Sequence, residues 1–181
     1  SSQILVMSKT NTEAMVHRNA YTDHIGIKRF NKKGKVIGER RIIGLYTSAA
    51  YNTSPKYIPF LRRKVALIMK TSNVNPKGHT GKVLLNILET LPRDDLIQGS
   101  EEELLEIAMG IYHMQERRRI RMFARTDVYR RFVSCLVYVP KEQFNTELRQ
   151  AMQDILAESF ESVDISFSTW FSESILARIH F

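Results

Sequence analysis

The feature that most constrains this chain is a double change of hydrophobic period between Ser100 and Phe181. SEEELLEIAMGIYHMQE repeats its apolar residues every three or four positions, so Leu104, Leu105, Ile107, Ala108, Ile111 and Tyr112 form one stripe. At Arg118 the period drops to two, and IRMFAR and FVSCLVYVP read as strands around TDVYRR. At Lys141 the helical period returns, with Phe144, Leu148, Met152, Ile155 and Leu156 turned inward. VDISFSTWF then alternates Val163, Ile165, Phe167 and Thr169 against Asp164, Ser166, Ser168 and Trp170, and ILARIHF follows as a last strand. This pattern predicts helices over 101–117 and 141–159, and strands near 119–125, 132–139, 163–171 and 175–181. The order α-β-β-α-β-β belongs to the α+β class, with helices packed on one face of a mainly antiparallel sheet.

The upstream half reads as a hairpin followed by helices. IGIKRF, NKKGK and VIGERRIIGLYT give a hairpin over 25–47, with Gly34 placed to supply the positive φ of its turn. SAAYNTSPKYIP is a loop. Pro59 opens a helix, because its missing N–H is harmless in a first turn. Phe60, Leu61, Lys64, Val65, Ile68 and Met69 follow at helical spacing. A second helix covers about 80–91, with Pro92 at its end. Ser100 and Glu103 make a capping box for the third. We expect a boundary near residue 97, dividing a segment 1–97 from a module 98–181.

Composition narrows the class. With 181 residues, 43% hydrophobic and 25% charged, the chain suits a globular fold and excludes a disordered or fibrous one. The single cysteine, Cys135, excludes an internal disulfide, and its apolar neighbours predict burial. No signal peptide and no membrane-length apolar run is seen, which fits a cytoplasmic setting. The first segment, SSQILVMSKT, is apolar almost from its start, and SILARIHF is strand-like, so we expect a piece of a longer protein. The net charge of +8 permits acidic partners, nucleic acid among them.

The arginines are the strongest candidate site. Arg117, Arg118 and Arg119 are followed by Arg121, Arg125, Arg130 and Arg131. Strand alternation would place Arg119, Arg121 and Arg125 on one face, with Ile120 and Met122 inward. Such a face suits phosphate or nucleic acid, with Phe123 and Tyr129 as a partial stacking platform. It equally suits carboxylates across an interface. No phosphate loop accompanies it: GKVIG and GHTGK lack the Walker spacing, and GxGxxG is absent. We therefore assign Arg119, Arg121, Arg125, Arg130 and Arg131 to an assembly surface, with a basic nucleic-acid-binding module as the alternative.

The remaining candidates are weaker. His17, His24, His79, His113 and His180 show no metal spacing. Glu101, Glu102 and Glu103 fit a first helical turn, and Asp94 and Asp95 fit a capped loop after Pro92. Asp23, His24 and Lys28 form a small polar group near the hairpin. Gly44, Tyr46, Thr47, Ser48 and Tyr51 offer hydroxyls to a small molecule, or simply end the hairpin. No catalytic, cofactor-binding or metal-ligating residue is assigned, and a role in assembly or regulation is expected.

Longer stretches carry a family resemblance. HRNAYTDHIGIKRFNKKGKVIGERRIIGLYTSAAY, IPFLRRKVALIM, GHTGKVLLNILETLPRDDLIQGSEEELLEIAMGI and RFVSCLVYVPKEQFNTELRQAMQDIL resemble, in this order, segments of the large bacterial NAD-dependent glutamate dehydrogenases. SESILARIHF resembles the end of the same region. The resemblance implies a region upstream of the catalytic core, built of ACT-like, PAS-type and helical modules. It implies an ACT-type module in the second half and a PAS-like or linker part in the first. It further implies NAD as cofactor of the parent enzyme only, and other domains and subunits of a homo-oligomer as partners, with no nucleic acid and no membrane. TDVYR holds no glycine where amino-acid-binding ACT modules carry their effector loop, which favours packing over effector binding.

Overall fold

The computed structural model describes residues 4–16, 20–114 and 117–181. Three strands come first: β1 (Leu5–Ala14), β2 (Ala20–Phe30) and β3 (Val36–Gly44). They form an antiparallel sheet in the order β1-β2-β3, so β3 is an edge. Asn31 sets the β2–β3 turn: its Oδ1 accepts the backbone N–H groups of Lys33 and Lys35, both at 2.9 Å. Gly34 supplies the positive φ of 74°. The expected hairpin is therefore present, and β1 adds a strand to it. In β1 the apolar run ILVM gives way to SKTNTEA, which hides its alternation.

Helices follow: α1 (Ser48–Asn52), α2 (Pro59–Thr71), α3 (His79–Thr90), α4 (Arg93–Gln98) and α5 (Glu101–Met114). Pro59 stands in the first turn of α2. The capping box holds: Ser100 N donates to Glu103 Oε2 at 2.9 Å, and Glu103 N donates to Ser100 Oγ at 3.2 Å. Leu61, Ile68, Leu84, Leu88, Leu96 and Leu104 are fully enclosed where α2, α3, α4 and α5 meet. This core runs unbroken across the boundary expected near residue 97, because Leu96, Ile97 and Leu104 belong to it together.

The last part is β4 (Arg121–Thr126), β5 (Val133–Pro140), α6 (Thr146–Ser159), β6 (Ser168–Phe171) and β7 (Leu176–His180). The sheet order is β4-β5-β7-β6, with every pair antiparallel. The class is α+β with antiparallel sheets and helices, an ACT-like module preceded by a hairpin and helices. Its layers differ from the expected single face in one respect. Phe123, Leu136, Tyr138 and Leu176 meet the α5 side, whereas Val137, Val139 and Ile179 meet Leu148 and Met152 of α6 on the other. The cause lies in β5, whose inner residues are buried on both faces and so need two covers.

Two further differences have local causes. The strand expected over 163–171 begins only at Ser168, and Val163 is fully exposed. Ser168 pairs with His180, and no strand lies opposite 163–167. The helix expected from Lys141 starts at Thr146, because Asn145 Oδ1 caps it by accepting Leu148 N at 2.7 Å. No helix among the described residues is long and apolar enough to cross a membrane.

Candidate functional site

Strand parity places the arginines differently from the expected face. Phe123 is the apolar anchor of β4; it meets Tyr138 edge to face at 6.1 Å and faces Gly110 of α5. Arg121 and Arg125 lie two positions either side of it and share its inward face. Ile120 and Met122, expected inward, are half exposed instead. Arg121 reaches the rim, its guanidinium 5.1 Å from the Phe123 ring. Arg125 is drawn fully inside, at 5% exposure.

Arg125 meets Asp95 there. Its Nη2 and Nε donate to Asp95 Oδ1 at 2.8 and 3.1 Å, and Nη2 also donates to Gln98 Oε1 at 3.1 Å. Ser134 Oγ donates to Asp95 Oδ2 at 3.0 Å and lies 2.8 Å from His180 Nε2. Burial holds the His180 imidazole below its ordinary pKa, against the pull of Asp95. The short helix α4 is thereby tied to β4, β5 and β7.

A second group ties the first sheet to α4. Lys9 Nζ lies 2.5 Å from Asp23 Oδ1 and 3.2 Å from Asp94 Oδ2. Asp23 Oδ2 accepts Tyr46 N at 2.7 Å, and Tyr51 donates its hydroxyl to Asp94 Oδ1 at 3.1 Å. Burial opposes the Lys9 charge, but Asp94 and Asp23 carry its pKa up to about 12. Burial, then Asp23, pushes the Tyr46 phenol to about 12.

A third group fastens the opposite face of β1 and β2 to the β4–β5 turn. Asp127 is buried; its Oδ1 accepts Ser8 Oγ, and its Oδ2 accepts Tyr129 N at 2.9 Å. Arg131 Nη1 donates to Lys9 O at 2.8 Å and stacks on Tyr129. Tyr129 Oη donates to Glu39 Oε2 at 3.2 Å, beside His24, whose Nε2 lies 3.0 Å from Glu39 Oε1. The turn thus grips the first sheet through ordinary side-chain chemistry.

These contacts sort the candidates. Asp23 and His24 are both buried but serve opposite faces, and neither bond involves Lys28. Tyr46 and Tyr51 face into the joint, with Tyr46 Oη 3.8 Å from Met7 Sδ. Of the five arginines assigned to a surface, Arg125 and Arg131 are spent on the chain's own joint, while Arg119, Arg121 and Arg130 stay exposed. No cluster of metal-ligating side chains occurs among the described residues; His17 lies outside them. Sequence reasoning missed Asp95 as a hub and Lys64 as a buried cation. Lys64 did carry a signal, since it sits inside the apolar stripe of α2. Its Nζ donates to Ile97 O at 2.8 Å, Gly99 O at 2.7 Å and Leu96 O at 3.2 Å, at the carbonyl end of α4.

Two family models match successive parts of the chain. The family model described as "Glutamate dehydrogenase, helical motif 1" matches residues 58–117, and that for "Glutamate dehydrogenase, ACT2 domain" matches residues 121–181. The NAD-specific glutamate dehydrogenase of Halomonas elongata is 48% identical over 179 residues, covering 99% of this chain and 11% of that protein. The chain belongs to this glutamate dehydrogenase family. The Pseudomonas aeruginosa enzyme of the same name is 46% identical over 178 residues, and the Mycobacterium tuberculosis one 31% over 179. They cover 98% and 99% of this chain, which spans about 11% of the length of each of these glutamate dehydrogenases. The two matched modules are the ones that Asp95 and Arg125 join.

Proposed function

We propose that this chain is a non-catalytic regulatory or assembly region of a large NAD-dependent glutamate dehydrogenase. The parent enzyme oxidises L-glutamate to 2-oxoglutarate and ammonia, reducing NAD in the cytoplasm as a homo-oligomer. The partners of this region are other domains and subunits of that enzyme, not nucleic acid or a membrane. The observation that carries the reading is the buried Arg125–Asp95 pair, which fixes the ACT2 sheet to the helical motif. Charged side chains are here invested in holding units in register, and the first sheet is locked to both by Lys9 and Asp127. The dinucleotide does not fit the described residues: both sheets are antiparallel, and no strand–glycine turn–helix unit offers a pyrophosphate cradle. On this reading glutamate and NAD are bound elsewhere in the enzyme.

The test is Arg125→Met in the full-length protein, followed by turnover, thermal unfolding and sedimentation. The expected variant keeps its KM for glutamate and NAD, while its Tm and subunit association fall. A variant of unchanged stability and association that loses NAD or glutamate affinity overturns the reading.

A further inference from the structure

The exposed arginines converge on a concavity that the joint does not use. Arg117, Arg119 and Arg121 line an open groove of about 530 Å3 together with His113, Met114 and Ile120. The backbone makes this convergence. Arg117 N donates to Met114 O at 2.8 Å, and Arg119 N donates to Arg117 O at 2.9 Å. The tight turn brings three arginines, alternate in sequence, to one side before β4 begins at Arg121. Arg118 points away and pairs with Glu142 at 3.1 Å. Among the described residues no carboxylate pairs with Arg117, Arg119 or Arg121, and none lines the groove.

We propose that this groove binds a small phosphate-bearing polyanion of the diphosphate class. Three arginines lining one hollow concentrate like charge there, which an anion entering it would offset. A diphosphate presents its charge and acceptor oxygens within the span of two tetrahedra, and the planar fork of arginine matches each of them bidentately. The groove has a volume in the range of small-ligand sites, and Met114 and Ile120 add apolar lining for a group carried on the phosphates. The site lies where the helical motif passes into the ACT2 module, so its occupant would bear on the relative setting of the two. The proposal goes beyond the assembly reading and stands or falls separately from it.

Inorganic pyrophosphate is the probe, and hydrogen exchange in the full-length protein is the readout, because it locates binding away from any dinucleotide site. Pyrophosphate should slow exchange in peptides covering 113–122, and the effect should weaken as salt rises. Arg117→Ala/Arg119→Ala should require about tenfold more pyrophosphate or worse, as expected for lost charge-assisted hydrogen bonds. Arg119→Lys should fall between that variant and the parent. Both substitutions are at exposed positions, so an unchanged Tm separates lost binding from lost folding. Three outcomes overturn the proposal. One is no protection of 113–122 at millimolar pyrophosphate. Another is a groove already protected in the assembled enzyme and unmoved by pyrophosphate, which would make it a protein interface and leave the assembly reading intact. The last is protection by mixed-sequence RNA spreading well beyond 113–122 and outcompeting pyrophosphate, which would mark a nucleic-acid surface.

Discussion

Arg125 Nη2 lies 2.8 Å from Asp95 Oδ1, and both side chains are almost wholly removed from water. The pair bridges 30 residues of sequence and joins a short helix to the first strand of the ACT2 sheet. A buried pair of this kind is costly to break, because the survivor keeps its charge without a partner. Asp95→Ala or Arg125→Ala should each lower stability by about 3–5 kcal/mol. Asp95→Leu combined with Arg125→Met should recover much of that loss, since apolar replacement removes both desolvated charges. Urea unfolding followed by the fluorescence of Trp170, the single tryptophan, reads all three.

Lys64 sets a pH dependence. Burial lowers its pKa to about 8, although three carbonyl oxygens favour the ammonium. The unfolded lysine, near its ordinary value of about 10.4, binds the proton more tightly than the folded one. Between the folded and unfolded values the unfolded state carries more protons, so this group adds stability as pH rises through that window. As pH falls to about 8 the contribution is lost. Lys64→Met should remove this slope. The difference between parent and variant unfolding free energies, measured from pH 7.5 to 10.5 (roughly the window set by the two values), checks it.

Gly110 has a packing reason. A Cβ there would stand 2.8 Å from Phe123 Cζ and nearer still to Cε1. Alanine favours helix over glycine by about 1 kcal/mol, whereas overpacking a core costs about 1–3 kcal/mol. Phe123 is itself held by Tyr138, so overpacking should win. Gly110→Ala is expected to lower the Tm, and Gly110→Ala with Phe123→Leu to restore part of it, by differential scanning calorimetry.

Cys135 should be inert. Burial, then Asp95, pushes its thiol up to about 11. At pH 8 its alkylation by iodoacetamide should be roughly a hundredfold slower in the native chain than in urea. Intact-mass kinetics decide this, and equal rates would show that β5 is not closed on both faces.

The elements of regular period were legible because they carry local signals. Pro59, the Ser100–Glu103 box and the apolar run of β5 each announce themselves within a few residues. β1 was hidden because the side chains it buries include Ser8, and Lys9 is mostly covered, neither of which alternates as an apolar strand would. Residues 163–167 have the alternation of a strand but no neighbour to pair with. The candidate site was legible in part. The arginine run marked the right segment, but the inward turn of Arg125 depends on Phe123 filling the space beside Gly110, which is a matter of packing. Asp95 looked like one more acid at a helix start. Only its partners, 30 and 39 residues away, make it a hub.

The bond between Ser8 and Asp127 spans 119 residues. During synthesis, at about 5–20 residues per second, the first sheet would wait roughly 6–24 s for the turn that satisfies it. Through that interval Ser8 lacks the companion its burial needs, so the sheet gains little by closing early. Its docking is then a late event, gated by the completion of β4 and β5, and the nascent chain acquires its helical core before its opening strands find their place.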